Sequence, residues 1–108
     1  MLLLDDDDEL PEDPDDAEAQ LVQKLGPGRL ERIDEALRNH VQARWLKVAR
    51  VVADAVKDGG FSITDENVVR VHVRRAGALV ESGVFEGQGD LRKPRWSEVR
   101  IAQGHEDR

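Results

Sequence analysis

Apolar residues recur through the middle of the chain at Leu30, Ile33, Leu37, Val41, Trp45, Val48, Val52 and Val56, with every gap three or four residues. That spacing places them on one stripe of an α-helix. Neither Gly nor Pro interrupts residues 29–58, and one helix of that length would run about 40 Å at 1.5 Å per residue. A domain of this size has a radius of gyration of only about 12 Å, so the rod would protrude. Two outcomes are open: association of two copies along the stripe, or a break near Asn39 and His40. A small fold needs its layers to face each other, which favours the break, with helices over 29–39 and 43–57 and Trp45 in the core.

Asp58-Gly59-Gly60 ends this region, with a glycine available for a left-handed cap. Phe61–Ile63 reads as a short strand or an extended connector. Thr64 is the predicted N-cap of a further helix, with Asp65 and Glu66 in the first turn, where the helix dipole favours anions. That helix runs to Ser82 and stops at Gly83, burying Val69, Val73, Ala76, Leu79 and Val80 and turning Arg70, Arg74, Arg75 and Glu81 towards water. Val84–Glu86 and Ser97–Ile101 follow as strands. In the second, Val99 and Ile101 alternate with Glu98 and Arg100, the period of a half-buried strand. Gly87, Gly89 and Pro94 lie between them, where a hairpin loop needs them. Upstream, Ala19–Leu25 reads as a short helix stopped by Gly26-Pro27-Gly28. The predicted fold is α+β and mostly helical: three main helices plus a C-terminal two-stranded β-hairpin.

Charge changes this picture at one end. The 108 residues carry a net charge of −7, but residues 1–25 hold ten acids against Lys24, and the remainder is net +2. The segment DDDDELPEDPDDAE, residues 5–18, has almost no apolar area with which to offset its ordering entropy. The expected organisation is an acidic disordered leader over 1–18, one domain over 19–101 and a frayed C-terminus over 102–108. The leader reads as a solubilising or linking tail, or as a competitor with nucleic acid for the basic surface behind it. Its aspartates are contiguous and no loop glycine follows, unlike a calcium loop. The opening MLLL is too short for a signal peptide; it also reads as the remnant of a last strand, this chain then being the tail end of a longer ancestral protein. No apolar run approaches the roughly 20 residues that span a bilayer. There is no cysteine, which suits a reducing compartment, and the expectation is a cytoplasmic protein with no membrane association.

The order helix, helix, short strand, helix, glycine, hairpin is similar to a winged-helix domain. More specifically, WLKVARVVADAV, the helix ending in LVESG, and VFEGQGDLRKPRWSEVRI resemble a family of small bacterial domains of unknown function, usually found at the C-terminal end of longer bacterial proteins. The resemblance covers about residues 30–101, and its most specific pieces are the Trp-led helix, Gly83, Gly89-Asp90 and Ser97-Glu98-Val99-Arg100. It implies a shape and a bacterial origin, carries over no catalytic residue, and leaves this chain without the partner domain that normally precedes the family's. DNA-reading winged helices place two helices between the short strand and the hairpin, the second entering the major groove. Here only Thr64–Ser82 separates Phe61–Ile63 from the hairpin, so the architecture reads as truncated by one helix.

Catalysis needs converging groups. His40, His72 and His105 lie far apart and form no ligand pair at helical spacing. His72 reads as a surface or half-buried imidazole. Ser62, Ser82 and Ser97 sit in no nucleophile motif, Asp65 and Glu66 are explained by capping, and no helix follows GQGD to cradle a phosphate. The expectation is a non-enzymatic protein with no cofactor, no metal and no small-molecule substrate.

Binding has more to work with. Arg92, Lys93 and Arg95 lie in the hairpin loop beside Trp96, with Arg70 and Arg74 on the preceding helix; these six are the candidate contact residues. Residues 70–100 carry seven bases and four acids, modest for a DNA binder. The loop arginines can equally pair with Glu86, Asp90 and Glu98, and Trp96 can cover a hydrophobic seam. The first reading is therefore an accessory module that binds a protein partner or itself. The alternative is weak, mainly electrostatic DNA binding restrained by the acidic leader.

Overall fold

The structure is a computed structural model that describes residues 9–102. It is α+β: helix α1 spans Asp16–His40, strand β1 Leu46–Lys47, helix α2 Val48–Asp58, helix α3 Glu66–Glu81, strand β2 Phe85–Gln88 and strand β3 Glu98–Ile101. The strands form one antiparallel sheet in the order β1-β3-β2. Three strands replace the expected two-stranded hairpin. β1 exists because Leu46 pairs with Val99 and Lys47 with Glu98, while the Val48 N–H donates to the Ser97 carbonyl at 3.0 Å. That pairing pulls Trp45–Lys47 out of the helical stripe, so α2 begins at Val48 rather than 43.

Residues 61–63 form no strand. The short strand precedes α2 instead of lying at 61–63, so two helices, α2 and α3, stand between it and the β2–β3 hairpin. The break near Asn39 and His40 is present: α1 ends at His40, with the Val41 N–H donating to the Leu37 carbonyl at 3.2 Å. Upstream, Gly26-Pro27-Gly28 interrupts the helix as the sequence predicts, so that α1 is two helical segments joined across a kink. Gly26 alone leaves the helical course (φ 74°, ψ 169°), a left-handed value natural to glycine, and Pro27 restarts the helix where its missing N–H is harmless.

α3 packs on both α1 and α2. Val68, Val69, Val71, Val73, Ala76 and Leu79 of α3 meet Ile33 and Leu37 of α1, Val51, Val52, Ala55 and Val56 of α2, and Phe85 and Val99 of the sheet in one core. Helix α3 starts one residue later than the sequence suggested: Asp65 is its N-cap, accepting from the Val68 N–H at 3.3 Å, while Thr64 bonds to Ser62 at 2.6 Å.

Residues 9–18 depart from the expected disordered leader. Leu10 is 1 % exposed and its N–H donates to the Arg92 carbonyl at 2.8 Å. Asp15 caps α1, accepting from the Glu18 N–H at 2.9 Å while Glu18 Oε2 accepts from the Asp15 N–H at 3.4 Å. One apolar anchor and one capping box thus fasten a segment whose bulk composition argues for disorder. The remainder of the predicted leader, residues 1–8, and residues 103–108 of the predicted frayed end lie outside the described residues. Among the described residues no helix is long and apolar enough to cross a membrane.

Candidate functional site

The structure divides the six candidate contact residues into two groups. Arg70, Arg74 and Arg92 each bond the strap formed by residues 9–18. Arg74 donates through Nε to Glu18 at 2.5 Å and through its Nη atoms to the carbonyls of Pro11, at 2.9 Å, and Glu12, at 3.3 Å. Arg70 lies 3.5 Å from both Asp15 and Glu18. Arg92 reaches Glu9 and Asp90, each at 3.3 Å. Two backbone carbonyls and a carboxylate around the Arg74 guanidinium fix its orientation, so Arg74 and its neighbour Arg70 hold the strap down, while Arg92 stays 39 % exposed. The signal that could have revealed this is Asp15-x-x-Glu18, a capping box ahead of an apolar run.

Lys93, Arg95 and Trp96 form the second group, at the tip of the hairpin. Pro94–Trp96 make a single 3-10 turn, held by the Trp96 N–H on the Lys93 carbonyl at 2.9 Å and the Ser97 hydroxyl on the same carbonyl at 2.9 Å. Trp96 is 61 % exposed, so it does not cover a hydrophobic seam. Lys47 of β1 crosses to this tip: its Nζ sits 5.6 Å from the Trp96 ring centre and donates to the Arg95 carbonyl at 3.1 Å. On the same outward face of the sheet, Arg100 stacks 4.5 Å from the Trp45 ring and binds Glu86 at 2.5 Å. Trp45 is accordingly half-buried under a guanidinium rather than a core residue. Of the expected loop pairings, Arg92–Asp90 and Arg100–Glu86 form, whereas Glu98 accepts from Gln88 at 2.5 Å. The Arg92 backbone N–H, ahead of the Arg92 and Lys93 charges, holds the Asp90 carboxyl below its ordinary range.

A third feature lies on the opposite side of α3. His72 is fully buried, not the surface or half-buried imidazole expected. Its Nδ1 bonds the Val68 carbonyl at 2.8 Å, its ring meets Phe61 edge-on at 5.6 Å, and Nε2 has no partner among the described residues. Burial lowers its pKa, against an upward pull from the Val68 carbonyl. The ring forms part of the wall of a cleft of about 370 Å³ between α1 and the end of α2, with Ile33, Ala36, Ala55, Phe61 and Arg29 around it. Nearby, Arg75 donates two bonds to Asp34, at 2.8 and 2.7 Å, which raise the guanidinium pKa and tie α3 to α1.

Compared with protein-family models, curated proteins and solved structures, the chain matches none.

Proposed function

We propose that this protein is a non-catalytic interaction module that takes an acidic protein segment on its hairpin tip. The observation that carries this reading is Trp96: a tryptophan 61 % exposed, with Lys47 over its ring and Lys93 and Arg95 in the same turn. Tryptophan and arginine are the residues most enriched among those that anchor protein interfaces. The surrounding cations favour carboxylates, and the turn is braced by the hydrogen bonds of Trp96 and Ser97, which limits the entropy lost on binding. The order helix, strand, two helices, hairpin, with β1 beside β3, supports the winged-helix-like reading and the likeness to the small bacterial domains.

That same order favours a second reading, DNA binding restrained by the acidic strap. Two helices between β1 and the hairpin support it, and the strap's Asp15 and Glu18 are bonded to Arg70 and Arg74 of the second. Access to DNA would require lifting a strap whose Leu10 and Glu18 are buried, so this reading ranks second.

Titration of the full chain with a labelled acidic peptide and, separately, a labelled duplex tests both. The module reading expects peptide binding that weakens with salt and is lost in Trp96→Ala. Duplex binding that survives Trp96→Ala and is abolished by Arg70→Ala with Arg74→Ala would replace it with the second reading.

A further inference from the structure

We infer that the four aspartates of residues 5–8 dock on the hairpin tip of their own chain, pairing with Lys93 and Arg95 and competing there with an acidic partner. The inference rests on the reading of that tip as a site for acidic segments, and it deepens that reading by giving the site an internal competitor. The strap decides where the aspartates are delivered. Glu9 is the first described residue, and its carboxylate lies 3.3 Å from the Arg92 guanidinium. Leu10, 1 % exposed, pins the strap one residue further on, its N–H donating to the Arg92 carbonyl at 2.8 Å. The chain thus enters the fold against the residue that immediately precedes Lys93, and Asp8 is joined directly to Glu9.

Reach and charge supply the rest. Four extended residues span up to about 14 Å. The tip is tighter than that: the Trp96 N–H bonds the Lys93 carbonyl at 2.9 Å, closing a turn whose ends lie within about 7 Å of each other. Beyond Arg92, the next cations along the hairpin are Lys93 and Arg95, and Lys47 joins them through its 3.1 Å bond to the Arg95 carbonyl. The hairpin's own acids have other partners, Asp90 on Arg92 at 3.3 Å and Glu98 on Gln88 at 2.5 Å. Contiguous aspartates repel one another and the strap's Glu9 and Glu12, which favours their placement on cations. A segment tethered beside its site acts at an effective concentration of order millimolar, so ion pairs that are each weak still compete with a partner from solution. The Trp96 ring, 61 % exposed, stays open: the aspartates take the cations and leave the aromatic anchor.

The test titrates a labelled acidic peptide into three full-length chains. One is the parent, and one carries Asp5→Asn, Asp6→Asn, Asp7→Asn and Asp8→Asn. The third loses the same number of charges elsewhere, through Glu31→Gln, Glu35→Gln, Asp54→Asn and Glu81→Gln. At low salt the leader variant should bind the peptide about fivefold more tightly than the parent, the worth of two exposed ion pairs. The gap should close as salt screens those pairs, and the third chain should gain clearly less. Backbone NMR signals of residues 93–96 should differ between parent and leader variant by the same amount at every protein concentration. Equal gains in the two variants would mean that net charge alone acts. Equal affinity of parent and leader variant, or unchanged signals at 93–96, would mean that the aspartates do not dock; each of these overturns the inference and leaves the reading of the tip standing. Signals at 93–96 that move with protein concentration would put the aspartates of a second copy there instead, which overturns it as well. Peptide binding by none of the three chains would overturn the reading of the tip, and this inference with it.

Discussion

Glu18 and Arg74 are joined across the molecule by a 2.5 Å bond between a carboxylate that is 1 % exposed and a guanidinium that also holds the Pro11 and Glu12 carbonyls. The pair ties the first turn of α1 to the middle of α3, and with Leu10 on the Arg92 carbonyl it makes the strap part of the fold. Removing one partner of such a pair leaves the other desolvated and short of an acceptor. Glu18→Ala should therefore destabilise by about 2–4 kcal/mol in urea unfolding. Glu18→Gln, which keeps an acceptor and the capping geometry, should cost less. A loss within experimental error for Glu18→Ala would mean that the strap is not fastened to the domain.

Two glycines should respond in opposite ways to alanine. Gly89 has φ +83°, and a Cβ there would lie 2.7 Å from the Trp96 carbonyl oxygen and 3.2 Å from the Ser97 Cα, both backbone. Gly89→Ala should cost about 2 kcal/mol or more and shift the hairpin tip that presents Trp96. Gly77 lies inside α3, where an added Cβ would meet nothing within 4 Å. Gly77→Ala should stabilise by about 0.5–1 kcal/mol through helix propensity alone. Thermal unfolding of both variants beside the parent checks the sign, and a stabilised Gly89→Ala would contradict the described turn.

What could be read from the sequence were the stretches whose local pattern and tertiary role agree. The Val-rich periods of α2 and α3, the end of the first long helix near His40, and the alternation of Val99 and Ile101 all reappear in the structure. What could not be read depends on a partner distant in the chain. β1 is two residues long and exists through Val99 and Glu98, far along the chain, which overrode the helical spacing of Trp45. Residues 9–18 have the composition of a disordered tail, yet Leu10 bonds the hairpin at Arg92 and Glu18 bonds Arg70 and Arg74 of α3. Arg70 and Arg74, two of the predicted contact residues, are spent on that strap. Lys93, Arg95 and Trp96 share the hairpin turn, joined there by Lys47. Nothing local distinguishes His72 from a solvated histidine: its burial follows from α3 being covered by both other helices.

That burial has a pH signature. The folded-state pKa of His72 is lowered, mainly by desolvation, while the unfolded chain titrates near the ordinary value of about 6.5. Above that value both states are neutral and the full stability is present. As pH falls through it the unfolded state binds a proton that the folded state refuses, so stability is lost. Urea midpoints taken downward from neutral pH should fall for the parent and fall less for His72→Phe. Parallel curves for the two would mean that the imidazole is not held neutral in the folded protein.

Trp96 should carry binding without carrying stability. Its side chain is 61 % exposed and lies outside the core, so Trp96→Ala should change the unfolding free energy by no more than about 0.5 kcal/mol. The chain has two tryptophans, and the other, Trp45, is half-buried beneath Arg100 at 4.5 Å, which makes fluorescence a site-resolved readout. Iodide should quench the parent efficiently, because Lys47 sits 5.6 Å from the Trp96 ring and attracts the anion. Added inert salt should reduce that quenching by screening the attraction. In Trp96→Ala the remaining emission should shift to the blue, as expected for the less solvated Trp45, and should resist iodide. If Trp96→Ala instead unfolds more easily by about 2 kcal/mol or more, a loss typical of a buried aromatic, then Trp96 packs against the domain. The proposed partner surface would have to move elsewhere.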